Sequence, residues 1–318
     1  MSVGSGGAPG SGGAPGGGGA PGLGGAALLT GLAPAIWGTT YIVTTELLPA
    51  GHPLFASLVR ALPAGLVVLA CTRVLPRGAW WWRSLVLGAL FIGCFFPLLF
   101  VAAERLPGGV AATVGALQPI IVAVLARVLL GEALAPARIA FGLLGVAGVA
   151  LIALTPSARL DPLGFAAALG TAVSLALGLI LAKRWGRPPG VGPVAFTGWQ
   201  LTAGGLMLLA PALLLEGLPA GIDAPALGGY LWLALFGGLI SYTLWFGGLA
   251  RLPVAAASFL GLLSPVVAVS LDALVLRTEF SPGQVLGLLL TLGALLGGQL
   301  SGRASAPAAP RTGLLKSS

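Results

Sequence analysis

The sequence predicts an all-α integral membrane protein of ten transmembrane helices, built as two inverted five-helix repeats. Three observations lead there: a composition too apolar to solvate a globule, apolar runs of membrane-spanning length, and motifs that recur between the two halves. Of the 318 residues, 57% are hydrophobic and 8% are charged, and the mean hydropathy is +1.02. A soluble domain carries about 25% charged residues. A third of that cannot cover a globule of this length, so lipid is the main solvent.

The formal net charge of +8 would suit nucleic acid if the basic residues shared one soluble face. They stand singly or in short clusters between apolar runs, the pattern that orients a chain in a membrane, and nucleic acid is excluded as a partner. Cys71 and Cys94 form no CxxC pair and His52 is the single histidine. Neither a disulfide framework nor a zinc site is supported, and no cofactor is expected.

Taken in order, residues 1–25 repeat Gly-Gly-Ala-Pro-Gly with a six-residue period and almost no apolar bulk. They read as a disordered tail without the basic and apolar regions of a secretory signal. Five apolar runs follow, at 26–45, 53–72, 84–103, 108–130 and 137–155, forming a first repeat over 26–155. Five more, at 162–182, 193–215, 227–249, 254–276 and 283–300, form a second repeat over 156–300. Each is long enough, or nearly so, to cross a hydrocarbon core of about 30 Å as a helix. Residues 301–318 are rich in Ala, Pro and Ser and read as a disordered cytoplasmic tail.

Orientation follows from the loop cations. With the N-terminus inside, eleven Lys and Arg fall on the cytoplasmic side and three, Arg105, Arg159 and Arg277, on the other. The bias persists in alternate loops, so both termini are expected in the cytoplasm.

The halves match at a nearly constant offset. Phe100 to Pro107 aligns with Phe246 to Pro253, both ending Arg-Leu-Pro, and Gln118-Pro119 aligns with Ser264-Pro265. Gly65-Leu66 aligns with Gly205-Leu206, which places Arg60 opposite Gln200. Five helices per repeat is an odd number, so the second repeat enters the membrane upside down. Inverted repeats are the architecture by which secondary transporters expose a midplane site alternately to each side.

The chain resembles the drug/metabolite transporter superfamily, specifically its ten-helix members with two EamA repeats. The resemblance rests on Trp37-Gly38-Thr39-Thr40, on Arg60 with Ala64, and on Gln118-Pro119 running to Gly131-Glu132 with its counterpart Ser264-Pro265 running to Glu279. The second half departs from the pattern at Arg277-Thr278-Glu279 and lacks the first-helix tryptophan. The resemblance implies a bacterial inner-membrane carrier, often an exporter of amino acids, metabolites or toxic compounds.

Ionisable groups inside a span are expensive and mark sites by default. Arg60 lies deepest, about seven residues into its helix, and would pair with a substrate carboxylate, or be satisfied by helix carbonyls or Glu46. Arg127 is near enough to a helix end to snorkel. Asp272 is the first acidic candidate for proton coupling, with Glu46 a second. Pro119 and Pro265 stand mid-helix at equivalent places, where a missing N–H frees a carbonyl, and Gln118 and Ser264 beside them would line a cavity. Gln200 follows as a candidate, with Trp37, Thr39, Tyr41, Tyr242 and Trp245 as aromatic and hydroxyl walls; for each aromatic, core packing is the simpler explanation. The fifth and tenth helices are short and glycine-rich, which marks broken helices in some carriers. Their Gly283/Gly287 and Gly293/Gly297 spacing points instead to close helix packing, within the bundle or in a homodimer.

These features favour a carrier for a small molecule. A membrane-embedded enzyme would need clustered histidines or paired acids, which are absent. A non-transporting subunit or sensor is the other alternative, although no soluble domain is present to receive a signal. The chain has no GxxxxGK[ST] loop, so transport would be gradient-driven.

Overall fold

The computed structural model describes residues 23–106, 108–153, 161–276 and 280–304, and every regular element among them is helical. Most of both tails expected to be disordered lies outside the described residues. The first repeat contributes α1 (Gly24–Leu47), α2 (Pro53–Thr72), α3 (Trp80–Ala102), α4 (Ala112–Leu130) and α5 (Pro136–Ile152). The second contributes α6 (Pro162–Trp185), α7 (Pro193–Glu216), α8 (Ala224–Leu249), α9 (Val254–Val275) and α10 (Pro282–Ser301). All but α5 are long and apolar enough to cross a membrane, and α5 at 1.5 Å per residue still runs about 25 Å.

The helix ends are written in the chain. Helices α2, α5, α6, α7 and α10 begin on proline, which has no N–H to leave unpaired at the membrane boundary. Asp161 and Asp223 cap α6 and α8, accepting from Gly164 N at 2.7 Å and Ala226 N at 2.9 Å. Between α2 and α7 a carboxylate acts across the bundle. Glu216, at the end of α7, accepts from the first N–H groups of α2, Leu54 N at 2.8 Å and Phe55 N at 2.9 Å.

Packing obeys the repeat. Helix α2 packs on α7 and α5 on α10, each pair being its own counterpart under exchange of the halves. Helix α1 packs on α8 and α9, and its counterpart α6 packs on α3 and α4. Glycines carry the tightest crossings. A Cβ on Gly287 of α10 would stand 2.6 Å from the Gly148 carbonyl of α5, and one on Gly148 would meet Thr291 and the Gly287 carbonyl. Gly297 is covered by Phe141, while a Cβ on Gly293 would meet nothing within 4 Å. The glycines of α10 thus pack its own bundle mainly through Gly287 and Gly297, and α5 and α10 run unbroken.

The irregularities fall elsewhere: α7 ends in a π-turn at Ala212–Glu216 with no counterpart in α2, and the others come in symmetric pairs. Helix α3 widens into a π-turn at Ala89–Gly93 and α8 at Leu233–Ile240. Helix α4 breaks at residues 116–117, between Gly108–Gly115 and Gln118–Leu130, and α9 breaks at 261–262, between Val254–Leu260 and Leu263–Leu276. The expectation of mid-helix prolines is corrected here. Pro119 and Pro265 each sit in the first turn of a new helical segment, where a missing N–H leaves no bond unmade.

A binding cavity between the two repeats

A cavity of about 320 Å³ opens where the repeats meet. Its first wall comes from α1 and α2: Trp37, Thr40, Thr44, Ser57 and Arg60. Phe91, Phe95, Phe96 and Phe100 of α3 form a second wall, and Tyr242 and Trp245 of α8 a third. The two helix breaks supply the remaining polar edge, with Gln118 on one side and Gly261 and Ser264 on the other. They face each other closely: Gln118 Oε1 lies 3.5 Å from where a Cβ on Gly261 would stand. The lining extends to Thr45 and Pro53, so the cavity reaches the end of the bundle where α1 turns into α2.

The chemistry centres on one carbonyl. In the π-turn of α8 the Ser241 N–H goes to the Phe236 and Gly238 carbonyls. The Gly237 oxygen is thereby left to side chains. Arg60 donates to it through Nε at 3.0 Å and Nη2 at 2.8 Å, Trp37 through Nε1 at 3.1 Å, and Ser241 through its hydroxyl at 2.6 Å. Trp37 Nε1 also reaches Ser241 Oγ at 2.8 Å. Glycine is required at this point. A Cβ on Gly237 would lie 3.2 Å from Arg60 Nε, and one on Gly238 would overlap the Arg60 carbonyl.

Arg60 is only 7% exposed and its guanidinium stands over the Phe96 ring, 5.5 Å from the centroid. Among the described residues it is the one formally charged residue in the lining. A backbone carbonyl and an aromatic face help hold it in place. Around it, Trp37 packs against Tyr242 at 5.1 Å and Trp245 at 5.4 Å between ring centroids. Trp245 Nε1 and Thr40 Oγ1, on two lining residues, are buried without a protein partner. Both are donors a ligand can meet.

Of the residues singled out in the sequence, Arg60, Gln118, Ser264, Trp37, Tyr242 and Trp245 therefore share this cavity. Three others do not line it. Thr39 points to α8, accepting from Trp232 Nε1 at 3.0 Å. Gln200 is wholly buried on α7, its Nε2 at 3.4 Å from the Phe196 carbonyl. Glu46 is exposed at the end of α1 beside Thr45. The side chains of Tyr41 and Asp272 lie outside the described residues.

Two segments of the chain, residues 25–154 and 162–297, match the EamA-like transporter family. The chain belongs to this family. Protein PecM of Dickeya dadantii (strain 3937) is 46% identical over 264 residues, covering 83% of this chain and 89% of the relative. The uncharacterized transporter sll0355 of Synechocystis is 32% identical, covering 83% of this chain and 87% of its own. The uncharacterized inner membrane transporter YedA of Escherichia coli K12 is 29% identical over 74% of this chain and 78% of its own. One solved crystal structure superposes with a TM-score of 0.72 over 87% of this chain and 98% of the other. At 22% identity that likeness shows the fold. The protein is thus a multi-pass membrane member of a transporter family, and sll0355 and YedA are named as transporters, not enzymes.

Within that family fold, Gly237, Ser241, Phe96 and Thr40 are the site residues that reading the sequence missed. The signal for Gly237 was present: it lies 146 residues after Phe91, the same offset that relates Phe100 to Phe246. Only the structure reveals that both positions carry a π-turn with a side chain bonded to the carbonyl, Tyr242 OH donating to Phe91 O at 3.2 Å.

Proposed function

We propose that this protein is a gradient-driven exporter that carries a small metabolite, amino acid or drug-like compound across the bacterial inner membrane by alternating access. The observation that supports it most is the cavity itself, seated between inverted repeats, lined by aromatic rings and holding one buried arginine. Its volume stands at the low end of the roughly 300–1,000 Å³ of small-molecule sites. The eleven-to-three distribution of loop cations supports cytoplasmic termini. In that orientation the end where α1 meets α2 is external, and the cavity faces outward. Its inner end is closed by Phe91, packed on Phe246 at 5.2 Å, and by Tyr242. Opening the other way requires one repeat to rock against its mate.

The test compares wild type with Arg60→Ala at matched membrane levels, by untargeted mass spectrometry of medium and cytosol. The reading expects wild type to move at least one compound into the medium and the variant to fail. A compound moved equally by both leaves a carrier whose arginine is structural. No displaced compound across several growth media counts against transport.

A further inference from the structure

Helix α3 opens with Trp80-Trp81-Trp82-Arg83, and its arginine is held by rings. The Arg83 guanidinium stands 5.3 Å from the Trp80 centroid, 5.6 Å from that of Trp82 and 5.6 Å from that of Trp185, in the last turn of α6. Trp82 and Trp185 meet edge to face at 5.1 Å, so rings of the two helices close a cage around the cation. Trp80 anchors the cage to the bundle, against Phe196 at 5.5 Å and Trp199 at 6.2 Å. Trp81 and Trp82 are half exposed, and so is Leu85 one turn further in. The cluster thus shows tryptophan at the helix start with apolar surface beneath it.

A guanidinium is a fork of N–H donors with no acceptor of its own. Among the described residues none of the Arg83 donors meets a protein acceptor, and its Nε is buried. Other cations at this end of the bundle are engaged. Lys183 donates to Leu249 O at 3.1 Å and Leu252 O at 2.8 Å, and Arg138 pairs with Glu132 at 3.3 Å. Of the eight Asp and Glu of the chain, Glu132 alone falls at this end by the alternation of helix directions.

The repeat does not require this cluster. The offset that relates Phe100 to Phe246 puts Gly229 of α8 where α3 has Arg83. There a Cβ would stand 2.8 Å from Leu48, so glycine lets the end of α1 close directly on α8. The equivalent crossing of α3 and α6, at the opposite end of the bundle, is filled by an arginine and tryptophans instead.

We infer that Arg83, caged by Trp82 and Trp185, is a binding site for the phosphate of an anionic phospholipid. Tryptophan settles at headgroup level, and three residues of helix put Arg83 only about 5 Å below the start of α3. The planar fork takes two oxygens of one phosphate, and the rings keep it at that depth. The acyl chains run down the exposed face of α3 past Leu85. Anionic lipid is concentrated in the cytoplasmic leaflet, where basic pockets between helices collect headgroups. The leaflet follows from the orientation proposed above; the site itself rests on the cage. Because Arg83 belongs to the first repeat and Trp185 to the second, a bound lipid ties the repeats together at the inner end.

Native mass spectrometry of the whole protein in detergent tests this, with titration of phosphatidylglycerol and of phosphatidylethanolamine, whose ammonium offsets the same phosphate. The inference expects phosphatidylglycerol to bind about fivefold tighter, with near parity after Arg83→Gln. Arg83→Lys keeps the charge without the fork and is expected to retain only part of the preference. Arg77→Gln removes the same charge from the exposed loop before α3 and is expected to change nothing. Parity in wild type overturns the inference without any variant. Equal losses in Arg77→Gln and Arg83→Gln assign the preference to the general charge of that face and overturn it too. Inorganic phosphate covers a soluble ligand: if it raises the melting temperature as much as phosphatidylglycerol does, and only with Arg83 present, the site is not a lipid site. None of these outcomes depends on transport, so the carrier reading stands or falls separately.

Discussion

Gly65 of α2 lies against Thr202 of α7 so closely that a Cβ at 65 would stand 2.5 Å from the Thr202 amide nitrogen. The repeat relates 65 to 205 and 62 to 202, and a Cβ on Gly205 would stand 2.8 Å from the Leu62 backbone. The same crossing is thus made twice, once from each half. Replacing either glycine by valine forces the helices apart at a contact with backbone on its far side. Gly65→Val and Gly205→Val are each expected to destabilise the detergent-solubilised protein by about 1–3 kcal/mol, with Gly293→Ala as the neutral control. Thermal unfolding followed by tryptophan fluorescence measures it; unequal losses at the two sites would contradict the symmetry.

That symmetry was legible in the sequence because it rests on register alone. Offsets of 140 and 146 residues place Gly65 on Gly205 and Phe100 on Phe246 without reference to any contact. The site was half legible for a matching reason. Arg60 announces itself as a charge in an apolar run, but its partner is a backbone carbonyl, and no residue type encodes a carbonyl. The π-turn that exposes the Gly237 oxygen depends on donors from three other positions, Arg60, Trp37 and Ser241, that meet only in the folded bundle. Prolines misled for a related reason: Pro119 reads as a kink within a long apolar run, whereas Gln118 in fact begins a new helical segment.

Arg60→Lys discriminates charge from geometry. The guanidinium reaches the Gly237 carbonyl with two nitrogens while lying over Phe96. A lysine keeps the charge and loses the planar fork. Transport is expected to fall by at least tenfold, about 1.4 kcal/mol or more at the transport barrier, with membrane levels unchanged. Initial efflux rates at matched expression measure it, and full activity in Arg60→Lys would assign the residue a purely electrostatic role.

Trp37 and Ser241 hold the same carbonyl from the other side, so Trp37→Phe removes two hydrogen bonds and keeps most of the ring contact with Tyr242. A buried hydrogen bond contributes about 1 kcal/mol. Trp37→Phe is expected to raise the substrate concentration for half-maximal transport several-fold. Ser241→Ala should do less, because Arg60 still covers the Gly237 oxygen. A double-mutant cycle checks the coupling, and strict additivity would mean the two side chains act separately.

Glu216 tests the closure between α7 and α2 away from the cavity. Its two oxygens take the amides of Leu54 and Phe55, which open the helix carrying Arg60. Losing the carboxylate leaves the start of α2 without its cap and its favourable charge, a cost of about 1 kcal/mol. Glu216→Ala is expected to lower the melting temperature by a few degrees, Glu216→Asp less, and to increase hydrogen exchange at residues 54 and 55 before any other part of α2. Uniform exchange along α2 would place the anchor of that helix elsewhere.

Gln200 is where the two halves stop being equivalent. It occupies the position of Arg60 in the second repeat, yet it is fully buried and its Oε1 has no partner. Its counterpart carbonyl, that of Phe91, is taken by Tyr242. An unpaired buried oxygen is a cost, so Gln200→Leu removes a penalty on the scale of 1–3 kcal/mol at a residue that does not line the cavity. The variant is expected to melt no lower than wild type and to transport within about twofold of it, against the loss in Arg60→Ala. A stable Gln200→Leu protein that has lost transport would give this residue a role in a conformation other than the one described, with the α3 π-turn as its nearest symmetric partner.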